Sequence, residues 1–225
     1  MAYNFSVERY TEVVEFLKTL SVDASILEVG CGTGNILEFI REETGIKSVY
    51  GLDIDTEALE IAKNKELNVY NCSIVDDCDE KIAQKFDVVI VGAVLHHLVT
   101  KTRGGSMKLS KKALAKSICL LKADGYLIIV EPTFEPFWVF TIIFYIKRLI
   151  SLFTSKRVVI FDYWNNIGPP VVSYYSNSKL VNMVESFVNL CIQKAAFKRK
   201  PLGTLPRLLF LRRYDATIIA KNTIM

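Results

Sequence analysis

Three glycines at alternate positions constrain the fold of this chain more than any other feature of its sequence. Gly30, Gly32 and Gly34 follow a short apolar run, residues 25–30, and precede a segment of helical periodicity, residues 35–44. Glycine allows the backbone to turn tightly and allows a ligand to lie against it. A strand, a glycine-rich turn and a helix in this order predict the start of an α/β domain with a ligand site at the turn.

Short apolar runs continue to alternate with amphipathic segments along the chain. Near-continuous apolar strands predict a parallel sheet that helices cover on both faces. This rhythm stops after residue 132 and resumes at Ser176, so we expect one domain over residues 1–225 with an insertion at 133–173. A lead-in helix is expected within residues 1–23, and a helix with the final strands within 176–225. The predicted strands cover residues 25–30, 48–53, 67–71, 86–91, 125–131, 190–197 and 215–221. The other predicted helices cover residues 35–44, 56–65, 108–122 and 176–187.

The composition of the chain bears on its expected cellular location. Hydrophobic residues make up 51% of it, with a mean hydropathy of +0.26, but no apolar run reaches the length of a membrane span. The first residues lack the pattern of a signal peptide, so a cytoplasmic location is expected, with attachment to a membrane surface as an alternative. The cysteines are odd in number and lack Cys-x-x-Cys spacing, which predicts reduced thiols without a disulfide or zinc site. They are Cys31, Cys72, Cys78, Cys119 and Cys191.

Charge divides the chain into two unlike halves. Residues 1–100 hold 18 Asp and Glu against 8 Lys and Arg, whereas residues 101–225 hold 6 against 20. The basic half also contains the most apolar stretches. A basic and apolar surface suits an anionic membrane or a phosphate-bearing substrate. The alternative is a solvated face whose charges only aid solubility.

The glycine-rich turn and its surroundings resemble a known family. The run Glu28-Val29-Gly30-Cys31-Gly32-Thr33-Gly34 is similar to motif I of the class I S-adenosylmethionine-dependent methyltransferases, acid-x-Gly-x-Gly-x-Gly. Asn35 stands where a nicotinamide-dinucleotide fingerprint needs glycine or alanine. Residues 86–98 and 125–132 resemble the fourth-strand and fifth-strand motifs of the same family. The resemblance implies an α/β fold with a Rossmann-like, seven-stranded, mostly parallel sheet, helices on both faces and an insertion after the fifth strand.

The resemblance also implies S-adenosyl-L-methionine as cofactor. Asp53 ends the second strand and would accept hydrogen bonds from both ribose hydroxyls, while Ile54 would cover the adenine. The Asp that often follows the third strand is missing, so Ser73 or a backbone group would replace it. The cofactor-binding residues implied are Glu28, Gly30, Cys31, Gly32, Gly34, Asp53, Ile54, Ser73, Ile74 and Gly92.

His96 and His97 are the candidate catalytic residues. They are the only histidines in the chain and directly follow the fourth strand, where the family places the reacting methyl group. Imidazole titrates in the range that suits a general base. The alternative is that the pair only packs at the start of a short helix. Some quinone O-methyltransferases bind a metal through Glu-x-x-Glu-His, but Ala93 and His96 replace both carboxylates here, so no metal is expected.

The insertion carries the candidate acceptor pocket. In related enzymes this segment covers the acceptor, and its aromatic density here favours a quinone, a polyprenol-linked compound or another lipid. Residues 137–146, followed by Lys147 and Arg148, also suit a helix lying in a membrane interface. Internal packing or a homodimer seam are the alternatives. The candidate pocket residues are Phe134, Phe137, Trp138, Tyr145, Tyr163 and Trp164.

The sequence therefore predicts an S-adenosylmethionine-dependent methyltransferase for a small, hydrophobic or lipid-linked acceptor, with an anionic membrane surface as a candidate partner. The first alternative function is a nucleic-acid methyltransferase that binds its substrate through the basic half. Nucleic acid is not the expected partner, because the sequence lacks an appended RNA-binding module. No Asn/Asp-Pro-Pro-Tyr/Phe element follows the fourth strand, which argues against methylation of base amines or glutamine. The second rival is a non-catalytic module that retains the fold.

Overall fold

The structure is a computed structural model, and it describes residues 7–76, 78, 81–154, 170–202 and 210–223. The strands are β1 (Ser25–Val29), β2 (Ser48–Asp53), β3 (Asn68–Asn71), β4 (Phe86–Gly92), β5 (Leu121–Glu135), β6 (Leu190–Lys200) and β7 (Arg212–Asn222). The helices are α1 (Thr11–Leu17), α2 (Asn35–Thr44), α3 (Thr56–Asn64), α4 (Arg103–Cys119), α5 (Phe137–Ile150) and α6 (Asn177–Glu185). Two short 3₁₀ turns cover Val7–Arg9 and Leu95–His97.

The seven strands form one sheet in the order β3-β2-β1-β4-β5-β7-β6. Neighbouring strands from β3 to β5 are parallel, whereas β7 is antiparallel to both β5 and β6. The order reverses between β1 and β4, and Val29 at the end of β1 lies beside Leu52 and Val91. Open α/β sheets bind ligands at the carboxyl ends of the strands at such a reversal. The predicted seven-stranded, mostly parallel sheet is confirmed.

Two apolar clusters pack on opposite faces of the sheet. Val89 and Val91 of β4 belong to one cluster, which includes α4 and α6, while Val88 and Ile90 belong to the other, with α1, α2 and α3. Successive side chains of a strand point to opposite faces, so a strand that is buried on both faces must be apolar throughout. The uninterrupted apolar sequence of β4 is therefore a direct consequence of its central position.

Local backbone chemistry determines where the helices near the site begin. Gly34, with φ of 75°, precedes α2, and Gly45, with φ of 74°, follows it. The Asp55 carboxylate accepts hydrogen bonds from two amides in the first turn of α3. Ser176 caps α6 in the same way, through the amide of Lys179 at 3.3 Å. Gly34 and Asp55 thus fix the loops that follow β1 and β2 at the carboxyl edge of the sheet.

The structure corrects several boundaries and one cysteine prediction. The strand β5 continues to Glu135, so the first residues of the predicted insertion extend the sheet, where they pair with β7. Helix α4 begins at Arg103 and not at residue 108. The turn after β3 brings Cys72 and Cys78 together as a disulfide with a Cα–Cα distance of 5.8 Å. The prediction of five reduced thiols was wrong for these two, because only the folded turn joins them.

The segment after β5 folds as a helix, α5, of 14 residues. Within the described parts of the chain, no helix is both long enough and apolar enough to cross a membrane. The predicted pocket residues Tyr163 and Trp164 lie outside the described residues. The end of the segment returns to the sheet, where the Ser173 amide donates to the carbonyl of His96 at 2.8 Å.

Candidate active site

The glycine-rich turn after β1 is held against β2 by backbone hydrogen bonds. The amides of Gly30 and Cys31 both donate to the carbonyl of Leu52, at 2.7 and 3.1 Å. A side-chain carbon at Gly30 would overlap Val94, and one at Gly34 would overlap Leu67. Both glycines also have φ near +75°, which other residues rarely adopt. Packing and backbone conformation therefore both require glycine at these two positions.

Gly32 differs from the other two glycines because it borders open space. No described atom lies within 4 Å of the position that its Cβ would occupy, although its φ is also positive, at 50°. Its amide donates to Asp53 Oδ2 at 2.8 Å, and the Asp55 amide donates to Asp53 Oδ1 at 2.9 Å. The turn thus forms a cradle with a bare backbone, and the Asp53 carboxylate is fixed at its side.

Glu28 places a buried carboxylate beneath this cradle. The side chain is 1% exposed, and neither oxygen has a hydrogen-bond partner among the described residues. Burial raises the pKa of Glu28 well above its usual range, and the nearby charge of Asp53 raises it further. A buried carboxylate without a partner is costly unless a ligand pairs with it. The arrangement fits a cationic ligand group.

Gly92 lies next to Glu28 at the end of β4. A side-chain carbon there would stand 3.4 Å from Glu28 Oε1 and would overlap the hydroxyl of Tyr10. Burial, followed by the charge of Glu28, raises the pKa of Tyr10 well above its usual value. The neutral phenol therefore belongs to the wall of the cradle. Tyr10 has no local sequence signal for this position, because only the packing of the N-terminal helix brings it to β4.

The other predicted cofactor residues differ in how far they are buried. Ile54 is 72% exposed next to Asp53, and such an apolar side chain can cover a flat ring. The Ser73 hydroxyl accepts from the Val75 amide at 3.4 Å, and Ile74 is buried in the core. Cys31 is buried, and burial raises the pKa of its thiol, so it is unreactive packing. Contacts of Ser73 and Ile74 with a ligand remain predictions.

A buried carboxylate positions the first of the two histidines. Glu131 ends the predicted fifth strand and is fully buried; its Oε1 accepts from the Leu95 amide at 2.6 Å. Its Oε2 lies 2.7 Å from His96 Nδ1. An ionised carboxylate only accepts hydrogen bonds, so Nδ1 is the donor in this pair, and in the neutral imidazole the lone pair is then on Nε2. This is the arrangement of an oriented general base.

His97 has a different protonation behaviour. Its ring centroid lies 4.1 Å from that of His96. Desolvation first, and then the neighbouring His96, lowers the pKa of His97 to about 4, although Glu131 opposes the shift. His97 is therefore neutral at pH 7 and a weak base. In the described parts of the chain, no three His, Cys, Asp or Glu side chains form a group suited to a metal ion.

An aromatic wall extends from His96 towards α5. The Tyr174 ring stacks on His96 at 5.2 Å, and the Phe134 ring lies 4.4 Å from Tyr174. Phe140 of α5 continues the wall, 4.7 Å from Phe134. The wall gives one side of the site an apolar surface next to the base.

The structure separates the predicted pocket residues into two groups. Phe134 belongs to the aromatic wall, and Phe137 packs under the guanidinium of Arg103 at 4.6 Å. Trp138 and Tyr145 lie on the exposed side of α5, where the Tyr145 hydroxyl accepts from the Arg103 amide at 3.4 Å. The structure therefore does not bring Trp138 to the wall, and its role in a pocket stays a prediction.

Glu131, Tyr174 and Arg103 are further residues that the sequence analysis did not assign to the site. A signal for Glu131 was present, because it ends a predicted strand adjacent to the one that leads to His96, and the carboxyl ends of parallel strands meet. Tyr174 and Arg103 offered no such signal. Their positions depend on how the chain returns from α5 to the sheet.

Comparison with known proteins agrees with this geometry. A family model described as a methyltransferase domain matches residues 27–127, from β1 to the middle of β5. Over these residues the chain is similar to the methyltransferase domain family. The matched range includes the glycine-rich turn, Asp53 and both histidines of the site. The predicted family resemblance is confirmed at this level.

The chain matches its curated relatives over only part of their length. Ribosomal protein L11 methyltransferase of Ruminiclostridium cellulolyticum is 26% identical over 122 residues, which cover 51% of this chain and 38% of that protein. The enzyme of the same name from Thermoanaerobacter sp. is 27% identical over 142 residues, covering 60% and 46%. The chain thus spans less than half the length of these relatives.

Solved structures match this chain over almost its whole length. An S-adenosylmethionine-dependent methyltransferase from Methanosarcina mazei has a TM-score of 0.65 at 16% identity, covering 96% of this chain and 99% of that one. The N-methyltransferase NodS from Bradyrhizobium japonicum, solved with S-adenosyl-L-homocysteine, has a TM-score of 0.63 at 13% identity, covering 99% and 90%. The fold is that of the class I methyltransferases.

The cofactor of this methyltransferase domain is S-adenosyl-L-methionine, and the described residues fit it. The molecule carries an ammonium and a sulfonium group, and Glu28 is a buried carboxylate without a partner among the described residues. Its ribose carries two hydroxyls, which suit the Asp53 carboxylate. The open space over Gly32 allows the backbone to approach the ligand closely.

Proposed function

We propose that this chain transfers a methyl group from S-adenosyl-L-methionine to a small, hydrophobic or lipid-linked acceptor. The observation that carries the proposal is the pairing of His96 with Glu131 beside an aromatic wall, at the strand ends that also bear the glycine-rich turn. A base, an apolar wall and a cofactor cradle thus lie together at the reversal of strand order. Each has a distinct part in a methyl transfer.

The first part is to hold the two reactants in line. When bound, the cofactor supplies a methyl group already activated by its positively charged sulfur. Glu28 would pair with a cationic group of the cofactor, and Asp53 would hold its hydroxyls, while Gly32 leaves room for it. Orientation of two reactants contributes roughly 7–11 kcal/mol to lowering a barrier. Positioning is therefore the main work of these residues.

The second part is to remove a proton from an oxygen or nitrogen acceptor. In the neutral tautomer that donates from Nδ1 to Glu131, the lone pair of His96 is on Nε2. The proton passes from the acceptor atom to Nε2, and the Glu131 carboxylate stabilises the resulting imidazolium. His97, with its pKa of about 4, is less suited to this step. We therefore assign the base to His96.

The third part is to select the acceptor. Phe134, Phe140 and Tyr174 present ring surfaces next to His96, and flat or extended apolar molecules pack well against such surfaces. The curated relatives include enzymes named as acting on a ribosomal protein, so a protein substrate is a rival for this site. The aromatic wall favours the small hydrophobic acceptor.

One experiment separates these acceptors. The purified chain is incubated with methyl-labelled S-adenosylmethionine and, in separate reactions, with a lipid and quinone extract, with RNA or with ribosomal protein. We expect labelled product only in the first reaction. His96→Gln should lower its yield about 10²–10⁴-fold, and His97→Gln serves as the matched control with a much smaller loss.

Binding of the cofactor is measured in parallel by calorimetry. The proposal requires that the wild type and His96→Gln bind S-adenosylmethionine equally well, because His96 acts on the acceptor. If the chain binds neither S-adenosylmethionine nor its demethylated product, the non-catalytic alternative is correct. Label that appears in RNA or in ribosomal protein would instead establish a macromolecular substrate.

A further inference from the structure

A buried carboxylate near the start of β7 lies among several cations. Asp215 is 4% exposed. One of its oxygens lies 3.3 Å from Arg9 Nη2 and 3.9 Å from Arg213 Nη2, and the other lies 3.6 Å from Lys200 Nζ. Lys200 also pairs with Glu8 at 3.0 Å, but the Glu8 side chain is 73% exposed. Among the described residues, the two arginines therefore share a single buried carboxylate.

Both arginines keep donors that Asp215 does not use. The Nε atoms of Arg9 and Arg213 are buried, and neither has a hydrogen-bond partner among the described residues. A guanidinium carries five N–H donors in a rigid fork that fits the oxygens of a carboxylate or a phosphate. A buried N–H group without an acceptor is costly unless a ligand supplies one. The two side chains are 19% and 36% exposed, so a ligand can reach them.

The sheet places the two arginines beside the aromatic wall and away from the cofactor cradle. Arg213 lies directly opposite Phe134 in the pairing of β7 with β5, and such paired residues point to the same face of a sheet. Phe134 contacts Tyr174, whose ring stacks on His96. The cradle lies at β1 and β2, on the other side of β4 in the strand order. An acceptor that extends from His96 away from the cofactor therefore approaches the arginines.

The charges of the two arginines act on the ring that stacks on the base. Burial raises the pKa of Tyr174, whereas the charges of Arg213 and Arg9 oppose this rise. A positive potential therefore extends to the aromatic wall and favours an anionic ligand there. We propose that Arg9 and Arg213 bind an anionic group, a carboxylate or a phosphate, on the methyl acceptor. This inference rests on the proposed function and describes the acceptor as an apolar body with an anionic end.

The charge of the methylated product tests the inference directly. The chain is incubated with methyl-labelled S-adenosylmethionine and the lipid and quinone extract, and the labelled product is applied to an anion exchanger at neutral pH. We expect the product to bind and to elute with salt, and mass spectrometry then distinguishes a phosphate from a carboxylate. A labelled product that passes through the column would overturn the inference. Absence of any labelled product would instead be a failure of the proposed function.

Arg213→Met should weaken use of the acceptor while it leaves the chemical step intact. The amount of extract that gives half the maximal rate should rise about 10–100-fold, because one charge-assisted pair is lost. The maximal rate should change little, since His96 is unaltered. Arg213→Lys keeps the charge without the fork and should show a smaller rise. Arg212→Met is the matched control, because adjacent residues of a strand point to opposite faces, and it should behave like the wild type.

Calorimetry with S-adenosylmethionine separates the other roles that these arginines could have. The cofactor has a carboxylate of its own, so a loss of cofactor affinity in Arg213→Met would assign the arginines to the cofactor and overturn the inference. The inference would also be wrong if Arg213→Met unfolded at a lower temperature but used the extract like the wild type. That result would mean that Arg213 only neutralises Asp215.

Binding of two small probes tests the site without catalysis. Benzoate and phenyl phosphate are titrated into the chain saturated with S-adenosylhomocysteine, and NMR follows the Nε–H signals of nitrogen-labelled arginine. At least one probe should shift the signals of Arg9 and Arg213 and leave that of Arg212 unchanged. The Arg213→Met variant assigns the signal of Arg213. If neither probe moves the two signals, the arginines do not bind an anionic group and the inference is refuted.

Discussion

Glu28→Gln should separate the stability of the empty protein from its affinity for the cofactor. The wild-type carboxyl is buried, and neither oxygen has a partner among the described residues. Glutamine has nearly the same shape but no charge. The substitution therefore removes the electrostatic feature that we assign to the cofactor while it leaves the packing around Gly92 intact.

The expected magnitudes follow from burial and charge. A raised pKa in the folded state means that Glu28 costs no stability below its ordinary pKa, and that stability is lost as pH rises through the folded pKa. The free energy of unfolding of the empty variant should therefore equal the wild-type value in acid and exceed it above neutral pH, by up to about 3 kcal/mol. The loss of one charge-assisted pair with the cofactor should cost about 1.5–3 kcal/mol, or roughly 10–100-fold in affinity.

Urea denaturation across pH measures the first effect, and calorimetric titration with S-adenosylmethionine measures the second. Titration of the wild type in buffers of different ionisation enthalpy should also show release of a proton, because a cationic ligand favours the ionised carboxylate. Glu28→Asp provides a matched control that keeps the charge. A variant that binds the cofactor as tightly as the wild type, or that is less stable when empty at high pH, would refute the reasoning.

Three other predictions test separate parts of the site. Gly34→Ala should lower the free energy of unfolding by about 2–5 kcal/mol, because a positive φ is combined with an overlap on Leu67. Gly32→Ala should lower it by only about 1–2 kcal/mol but should weaken cofactor binding at least tenfold. Denaturation measures the stability of both variants, and calorimetry measures their affinity for the cofactor. NMR should show that His97 remains neutral down to about pH 4. The free energy of unfolding should therefore fall as pH drops from about 6.5 to about 4, because the unfolded chain binds the proton first. His97→Gln should remove this pH dependence. Arg103→Met should lower the free energy of unfolding by about 1–3 kcal/mol and should speed amide hydrogen exchange in α5, because Ser173 and Tyr174 lose their donor. Arg148→Met is the control, and equal exchange rates in the two variants would contradict this prediction.

The cofactor side of the site was predictable because its key residues lie in short motifs at the ends of predicted strands. Gly30 and Gly34 adopt the backbone conformation that makes glycine necessary, and Asp53 ends its strand at the expected place. The link between His96 and Glu131 was not predicted, because it joins residues 35 positions apart. The predicted strand ends placed both residues at the same edge of the sheet, but which side chains meet there depends on the turn after β4, which the sequence pattern does not specify.

The acceptor side was harder to predict for a different physical reason. Residues 137–146 are almost entirely apolar, so no polar face defines which side of the helix packs inward. Phe137 and Trp138 are adjacent in sequence, yet one lies under Arg103 and the other is exposed. The Cys72–Cys78 disulfide escaped prediction in a similar way, since its spacing of six residues has meaning only in the turn that follows β3.

The division of charge along the chain corresponds to the two sides of the site. Glu28 and Asp53 come from the acidic half, and the cofactor they would hold carries two positive groups. The aromatic wall and α5 come from the basic half, apart from His96, and residues 136–154 contain no acid. Long-range electrostatics would thus favour a cationic cofactor on one side of the sheet reversal and an anionic surface on the other. A neutral or anionic acceptor is consistent with both preferences, whereas a free cationic acceptor would be repelled by the basic half of the chain.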